Sequence, residues 1–215
     1  SDDLYVIFVC TKIFDGIGNL KTLRPKVGPN CSVVTIHNMF WMDRVATVVD
    51  PNNMVCMYLD FSCATVGKKT FVKNSDGIKL GVVRKEAFEK LELVHDILSN
   101  VCIVKDTNDI VGLAISRNII NVAISALGAI SGMRLKDILL DRNGRYLFCK
   151  IIEEEMALFK KIKINVLPYD GKLDYNLFLK KSISGRLYKR KYMRLLIKNN
   201  GNIVSSALRD FELGR

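Results

Sequence analysis

The sequence has no C-x-x-C pair, only two histidines and no complete glycine-rich phosphate turn, and each shortage excludes a class of chemistry. Its six cysteines, Cys10, Cys31, Cys56, Cys63, Cys102 and Cys149, have no histidine partners at zinc spacing, so no metal site is expected. Most stand inside apolar runs (VIFVC, MVCMY, VCIV), which reads as buried reduced thiols. No apolar run reaches the roughly 20 residues needed to cross a bilayer, because Arg117, Asn118 and Asn121 interrupt the longest one. The start, Ser1-Asp2, leads straight into an apolar stretch without a secretory pattern. Internal repeats and low-complexity segments are also missing. Together these features imply a cytoplasmic protein with no membrane partner.

What is present is a folded composition: 215 residues, 49% hydrophobic and 26% charged, enough for one large or two small domains. The net charge of +11 raises the question of nucleic acid. It is densest over residues 180–198, KKSISGRLYKRKYMRLLIK, where Tyr188 and Tyr192 alternate with basic residues. Leu187, Leu195, Leu196 and Ile197 give the same stretch an apolar side, so a solvated basic helix is the stronger reading and a nucleic-acid partner is not expected. A basic rim attracting a polyanionic cofactor would use the same charge.

Read in order, residues 4–10 (LYVIFVC) form a continuous apolar run rich in β-branched and aromatic side chains. This predicts a strand buried on both faces within a parallel sheet. Such a strand needs neighbours, so the sequence is expected to begin partway into a domain. An unpaired flank there would promote association, a homodimer included. Lys12 stands at the strand's carboxyl end, where open α/β sheets place ligands. Gly16-Ile17-Gly18 imitates the opening of a dinucleotide fingerprint, but Lys21 occupies the third glycine position. Ile13, Ile17, Leu20 and Leu23 instead mark one face of a short helix. A second buried strand, residues 31–36, ends in His37-Asn38; the histidine is a candidate acid or base, and the asparagine can donate and accept at once. Further expectations are a helix over 42–49, strands over 54–64, 70–72 and 78–83, a helix over 85–99 and a strand over 101–104.

From residue 106 the pattern is helical, over 106–132, 135–140, 146–164, 174–181 and 187–199. The domains are therefore expected at residues 1–105 and 106–215. On the first long helix Arg117, Asn121 and Ser125 are four apart and line up along one side. A cation, an amide and a hydroxyl on an otherwise apolar helix must find partners or face a wet cleft. In the next long helix Glu153, Glu154 and Glu155 span about 300° of arc, so one of them should point inward.

VIFVCTK, TIHN, the polar row, EEEM and SSALRDFELGR, taken in this order, resemble the ketopantoate reductases (2-dehydropantoate 2-reductases) over nearly the whole chain. The resemblance implies a Rossmann-type NADPH-binding domain, here partial, followed by an all-α domain. Between them a 2-keto acid would be reduced to a 2-hydroxy acid, the step used in pantothenate biosynthesis. By position, the family's cofactor-side lysine falls on Lys12 and its cofactor- and substrate-contacting asparagine on Asn38. The catalytic lysine falls on Arg117, the two helix asparagines on Asn121 and Ser125, the glutamate on Glu155, and the serine that binds the substrate carboxylate on Ser206.

The departures are specific. The family's glycine-rich turn has no counterpart, since the first β-α units are absent, and its final glutamate would lie beyond Arg215. Met39-Phe40-Trp41 replaces a Gly-Met-Gly that lets backbone approach cofactor. Arg117 can polarise a carbonyl oxygen but cannot give up a proton, as the family's lysine can. Water or His37 would then supply the proton. The alternative is a non-catalytic relative that keeps the fold as a binding module, and the 215 residues alone are expected to be inactive.

Overall fold

The computed structural model describes residues 5–11, 13–36, 39–66, 68–73, 77–169, 172–202, 204–212 and 214. Two compact units divide the chain, Ser1–Ala114 and Ile115–Arg215, with the division falling inside one long helix.

The first unit is α/β. Its strands β1 (Val6–Val9), β2 (Ser32–Thr35) and β3 (Met54–Leu59) alternate with helices α1 (Ile13–Leu23) and α2 (Met39–Ala46). A hairpin, β4 (Ser62–Val66) and β5 (Lys69–Lys73), forms a separate two-stranded sheet. Then come β6 (Ile78–Gly81), α3 (Phe88–Ser99) and β7 (Val104–Asp106). The main sheet has the order β1-β2-β3-β6-β7. β1, β2 and β3 pair in parallel, with Val34 beside Val55, whereas β6 runs antiparallel to β3 and parallel to β7. Val34, Val55 and Leu80 on the sheet pack with Leu91 and Val94 of α3, which is why the apolar residues of that helix recur at three- and four-residue intervals.

Several expectations need correction. β1 is an edge strand among the described residues and is not buried on both faces: Phe8 remains 39% exposed and Tyr5 72%. An apolar groove of about 390 Å³ lies beside it, lined by Ile7, Phe8, Val9, Leu20 and Leu23. Cys10, expected buried with its run, is exposed, while Cys31 and Cys56 are buried. Burial pushes the Cys56 thiol up to about 12, which leaves it unreactive at neutral pH. The strand expected over 54–64 breaks at Asp60, whose carboxylate pairs with Lys79 at 3.1 Å and whose N–H donates to the Gly77 carbonyl. The strand expected over 101–104 pairs three residues later, as β7.

The second unit is helical. Helix α4 (Ile110–Ser131) enters it, followed by α5 (Leu135–Leu140), α6 (Arg142–Lys161), α7 (Tyr175–Leu179), α8 (Ile183–Asn200) and α9 (Ser206–Glu212). Phe148 and Ile152 of α6, Leu135 and Leu139 of α5, and Tyr175 and Phe178 of α7 are among its fully buried side chains. α4 has the length and composition of a membrane-crossing helix, contrary to the sequence reading, because its polar residues are too few to lower its hydropathy enough. More than half of that apolar window is buried inside the protein, as in the core helix of a globular fold.

Caps set the helix starts: α6 and α8 begin ahead of the expected 146 and 187, at Arg142 and Ile183, whereas α4 and α7 begin after the expected 106 and 174, at Ile110 and Tyr175. Asp109 accepts from Gly112 N–H at 2.7 Å, Asp141 from Gly144 N–H at 2.7 Å, Ser182 from Gly185 N–H at 3.3 Å, and Asp174 from Asn176 N–H at 2.8 Å. α9 was not expected at all; Ser205 starts it by accepting from Leu208 N–H at 3.0 Å.

Two glycines predict opposite outcomes. Gly77 opens β6 at φ +90°, and a Cβ there would collide with the Ile103 carbonyl. Gly18 lies inside α1 with open space around it. Gly77→Ala should therefore cost more than about 2 kcal/mol in urea unfolding, whereas Gly18→Ala should add about 0.5–1 kcal/mol.

Candidate functional site

The polar row on α4 is present in the helical unit, but its members differ in setting. Arg117 and Ser125 are half-buried, and Asn121 is exposed. Arg117 holds its guanidinium over the Tyr169 ring, 5.7 Å from the centroid. The loop that brings Tyr169 there is pinned on both sides. Tyr169 N–H donates to the Leu173 carbonyl and Leu173 N–H donates back, at 2.9 and 3.0 Å. Tyr188 of α8 donates its hydroxyl to the Lys172 carbonyl and accepts from Asp174 N–H, both at 2.9 Å.

Adjacent to this, Tyr175 is buried and donates its hydroxyl to the Ser116 carbonyl, one residue before Arg117. A main-chain carbonyl inside α4 thus gains a second partner from another helix. Burial pushes the Tyr175 phenol far above its usual range, with Tyr192, Tyr169 and Glu155 adding to the rise. It is a hydrogen-bond donor at every physiological pH.

Glu155 is the carboxylate of its run that turns inward. Glu154 is exposed and Glu153 pairs with Lys150 at 2.7 Å, while Glu155 has a buried Oε2 with no hydrogen-bond partner among the described residues. Burial raises its pKa to about 7. The folded chain therefore keeps this proton where the unfolded chain has lost it. The contribution favours folding below the ordinary carboxylate pKa of 4.5 and is lost as pH rises toward 7.

Gly128 fixes where the serine pair meets α4. A Cβ there would lie 2.9 Å from Ser205 Cβ and Oγ, so only glycine lets that backbone approach one turn beyond Ser125. Ser205 is buried and serves as the cap of α9. Ser206 begins α9, and its side chain lies outside the described residues, as do Lys12, His37 and Asn38. The other histidine, His95, meets Asp106 through Nδ1 at 2.9 Å in the first unit.

The structure thus ties Arg117 to Tyr169 and the preceding Ser116 to Tyr175, with Glu155 close enough to act on the Tyr175 phenol; the sequence reading missed both tyrosines. Their signal was weak: Tyr169 stands in a P-Y-D-G loop and Tyr175 follows a capping aspartate, and neither pattern names a partner some 50 residues away. A groove of about 580 Å³ follows a different face of α6, lined by Met156, Lys160, Asn165, Val166, Asn176 and Leu179, and contains none of the candidates.

No group of metal-ligating side chains forms among the described residues. For a dinucleotide the fit is poor: Gly16 and Gly18 are inside α1, and a Cβ added at Gly16 would already meet the Trp41 ring at 3.4 Å, so neither makes a phosphate-binding turn. The described residues contain no cradle for a pyrophosphate.

No family model matches the sequence, and no curated protein does. Solved structures do match. D-mandelate dehydrogenase, in a ternary structure with NADH and anilino(oxo)acetate, superposes with a TM-score of 0.78 at 13% identity, covering 99% of this chain and 65% of that one. A PanE/ApbA family ketopantoate reductase from Ralstonia eutropha JMP134 gives 0.72 at 12% identity, covering 99% and 62%. The 2-dehydropantoate 2-reductase from Methylococcus capsulatus gives 0.64 at 18% identity, covering 98% and 61%. The chain spans under two thirds of the length of these three proteins, and throughout that span it has the ketopantoate reductase fold, a partial Rossmann-type sheet followed by helices.

Proposed function

We propose that this chain is the larger part of a nicotinamide-dependent reductase of 2-keto acids, with Arg117 and Glu155 as its catalytic pair. Glu155 carries the reading: a carboxyl group with a buried oxygen that has no hydrogen-bond partner among the described residues and keeps its proton to about pH 7, close enough to Tyr175 to act on its phenol and in the same helical unit as Arg117. Reduction of a keto group places negative charge on oxygen and then requires a proton. Arg117 can stabilise the charge but cannot give the proton. Glu155, tuned by burial, can give it near neutrality. Within this reading Asn121, Ser125 and Ser206 hold the keto acid, while Lys12 and Asn38 lie toward the cofactor. NADP is the cofactor we favour and a ketopantoate-like acid the substrate, in a cytoplasmic setting.

Because the described residues do not cradle a dinucleotide, nucleotide binding would have to draw on additional polypeptide. The open edge of β1 and the apolar groove beside it support this, since a parallel sheet can continue there. The second reading, a non-catalytic relative, draws on the same missing cradle and on the helix that begins Met39-Phe40-Trp41.

Fluorescence titration with NADPH and NADH separates the two. The reductase reading expects binding by a longer coding sequence that contains this chain, and weak or no binding by the 215 residues alone. Absence of binding by both would establish the module reading. In the binding-competent form, Arg117→Ala should lower kcat/KM for a branched 2-keto acid by about a hundredfold or more, the loss of one oxyanion donor worth about 2.7–4 kcal/mol. With Glu155 supplying the proton, Arg117→Lys should stay within about tenfold of the parent, or about 1.4 kcal/mol. An Arg117→Ala enzyme of undiminished kcat/KM would remove Arg117 from the site.

A further inference from the structure

The charge of this protein is not spread over it. Residues 1–114 contain 13 basic and 13 acidic side chains and are neutral, so the whole of the net +11 belongs to residues 115–215, with 20 basic and 9 acidic. Eight of those 20 fall between Lys180 and Lys198, a stretch with no acidic residue.

Helix geometry divides the eight. On α8, Tyr192, Met193 and Leu196 are buried against the unit. Lys189 leans inward over the Phe178 ring, 5.2 Å from its centroid, and both Lys181 and Lys189 lower the Glu153 pKa by their charge. The outward ridge, at three- and four-residue intervals, is Ile183, Leu187, Arg190, Lys191, Arg194 and Lys198, all exposed. Its first half is aliphatic, with Ile183 76% and Leu187 61% exposed. Its second half is a block of four cations, with Arg190, Arg194 and Lys198 rising about 6 Å per step.

We infer that this ridge of α8 is a docking surface for an acidic amphipathic helix supplied by another protein. Complementary charge selects the partner's sign, and the two aliphatic side chains select its kind. Single-stranded nucleic acid would need free aromatic rings for stacking. Neither tyrosine of the stretch provides one: Tyr188 is bonded to the loop at Lys172 and Asp174, and Tyr192 is buried edge-on to Phe178. A duplex would engage the cations through phosphates but leave Ile183 and Leu187 unused. A second copy offers no complement, since one unit is neutral and the other basic. A helix with leucines on one edge and carboxylates beside them satisfies both halves of the ridge, the leucines against Ile183 and Leu187 and the carboxylates against the four cations.

The test is fluorescence anisotropy on the 215-residue chain with a labelled three-heptad peptide, Leu at a and d and Glu at e and g. A random DNA duplex and phosphatidylserine vesicles serve as parallel probes. The peptide should bind more tightly than either. Arg190→Glu/Arg194→Glu should weaken it by more than about tenfold, or about 1.4 kcal/mol. Ile183→Ser/Leu187→Ser should weaken the peptide severalfold while leaving duplex binding unchanged. All four positions are exposed, and unchanged circular dichroism would establish that the variants fold. The inference is overturned if the peptide does not bind, if either double variant binds it like the parent, or if the duplex or the vesicles are preferred.

Discussion

The helical unit depends on how α4 accommodates polar groups inside an apolar interior. A helix of this hydropathy is stable in water only when buried, yet burial strips water from every polar atom it carries. The answer in this chain is aromatic. Tyr175 gives its hydroxyl to the Ser116 carbonyl, and Tyr169 lays its ring under the Arg117 guanidinium. Tyr188 then fastens the loop between those two rings to α8. Three tyrosines from separate segments therefore set the position of one cation. Glu155 Oε2 has no hydrogen-bond partner among the described residues, and its proton compensates instead.

That contrast gives the pair its chemical meaning. A cation seated on a ring face is held in place, and a carboxyl raised by burial retains a proton near neutrality. Structural networks also shift pKa values; here the shifted group lies in the same helical unit as a cation seated on a ring face. The sheet unit is different in character. It is neutral overall, and among the described residues β1 is an edge strand of its sheet.

Much of this was legible in the sequence, for identifiable reasons. Continuous β-branched runs located β1 and β2, and the three- and four-residue recurrence of Leu91, Val94 and Leu98 located α3, because burial leaves that imprint. The row of Arg117, Asn121 and Ser125 followed from spacing alone, and the arc of Glu153 to Glu155 required one inward carboxylate. Helix starts were misplaced because a cap is a single polar residue outside the periodic pattern, as Asp141 and Ser182 are. Burial of β1 was misjudged because an apolar run does not state how many neighbours it has. Tyr169 and Tyr175 were missed because their partners are distant in the chain, and nothing local marks a tyrosine that serves a remote carbonyl or guanidinium. Gly16-Ile17-Gly18 was rightly set aside, since its helical periodicity outweighed its likeness to a nucleotide turn.

Burial, with no hydrogen-bond partner at Oε2 among the described residues, keeps Glu155 protonated near neutral pH in the unit that holds Arg117. The most direct measurement is a ¹³C NMR titration of the Glu155 side-chain carboxyl, assigned by its loss in Glu155→Gln. The structure predicts a midpoint of about 7. A midpoint in the ordinary carboxylate range near 4.5 would contradict the account, because Glu155 would then be ionised at neutral pH and unable to supply the proton that Arg117 cannot.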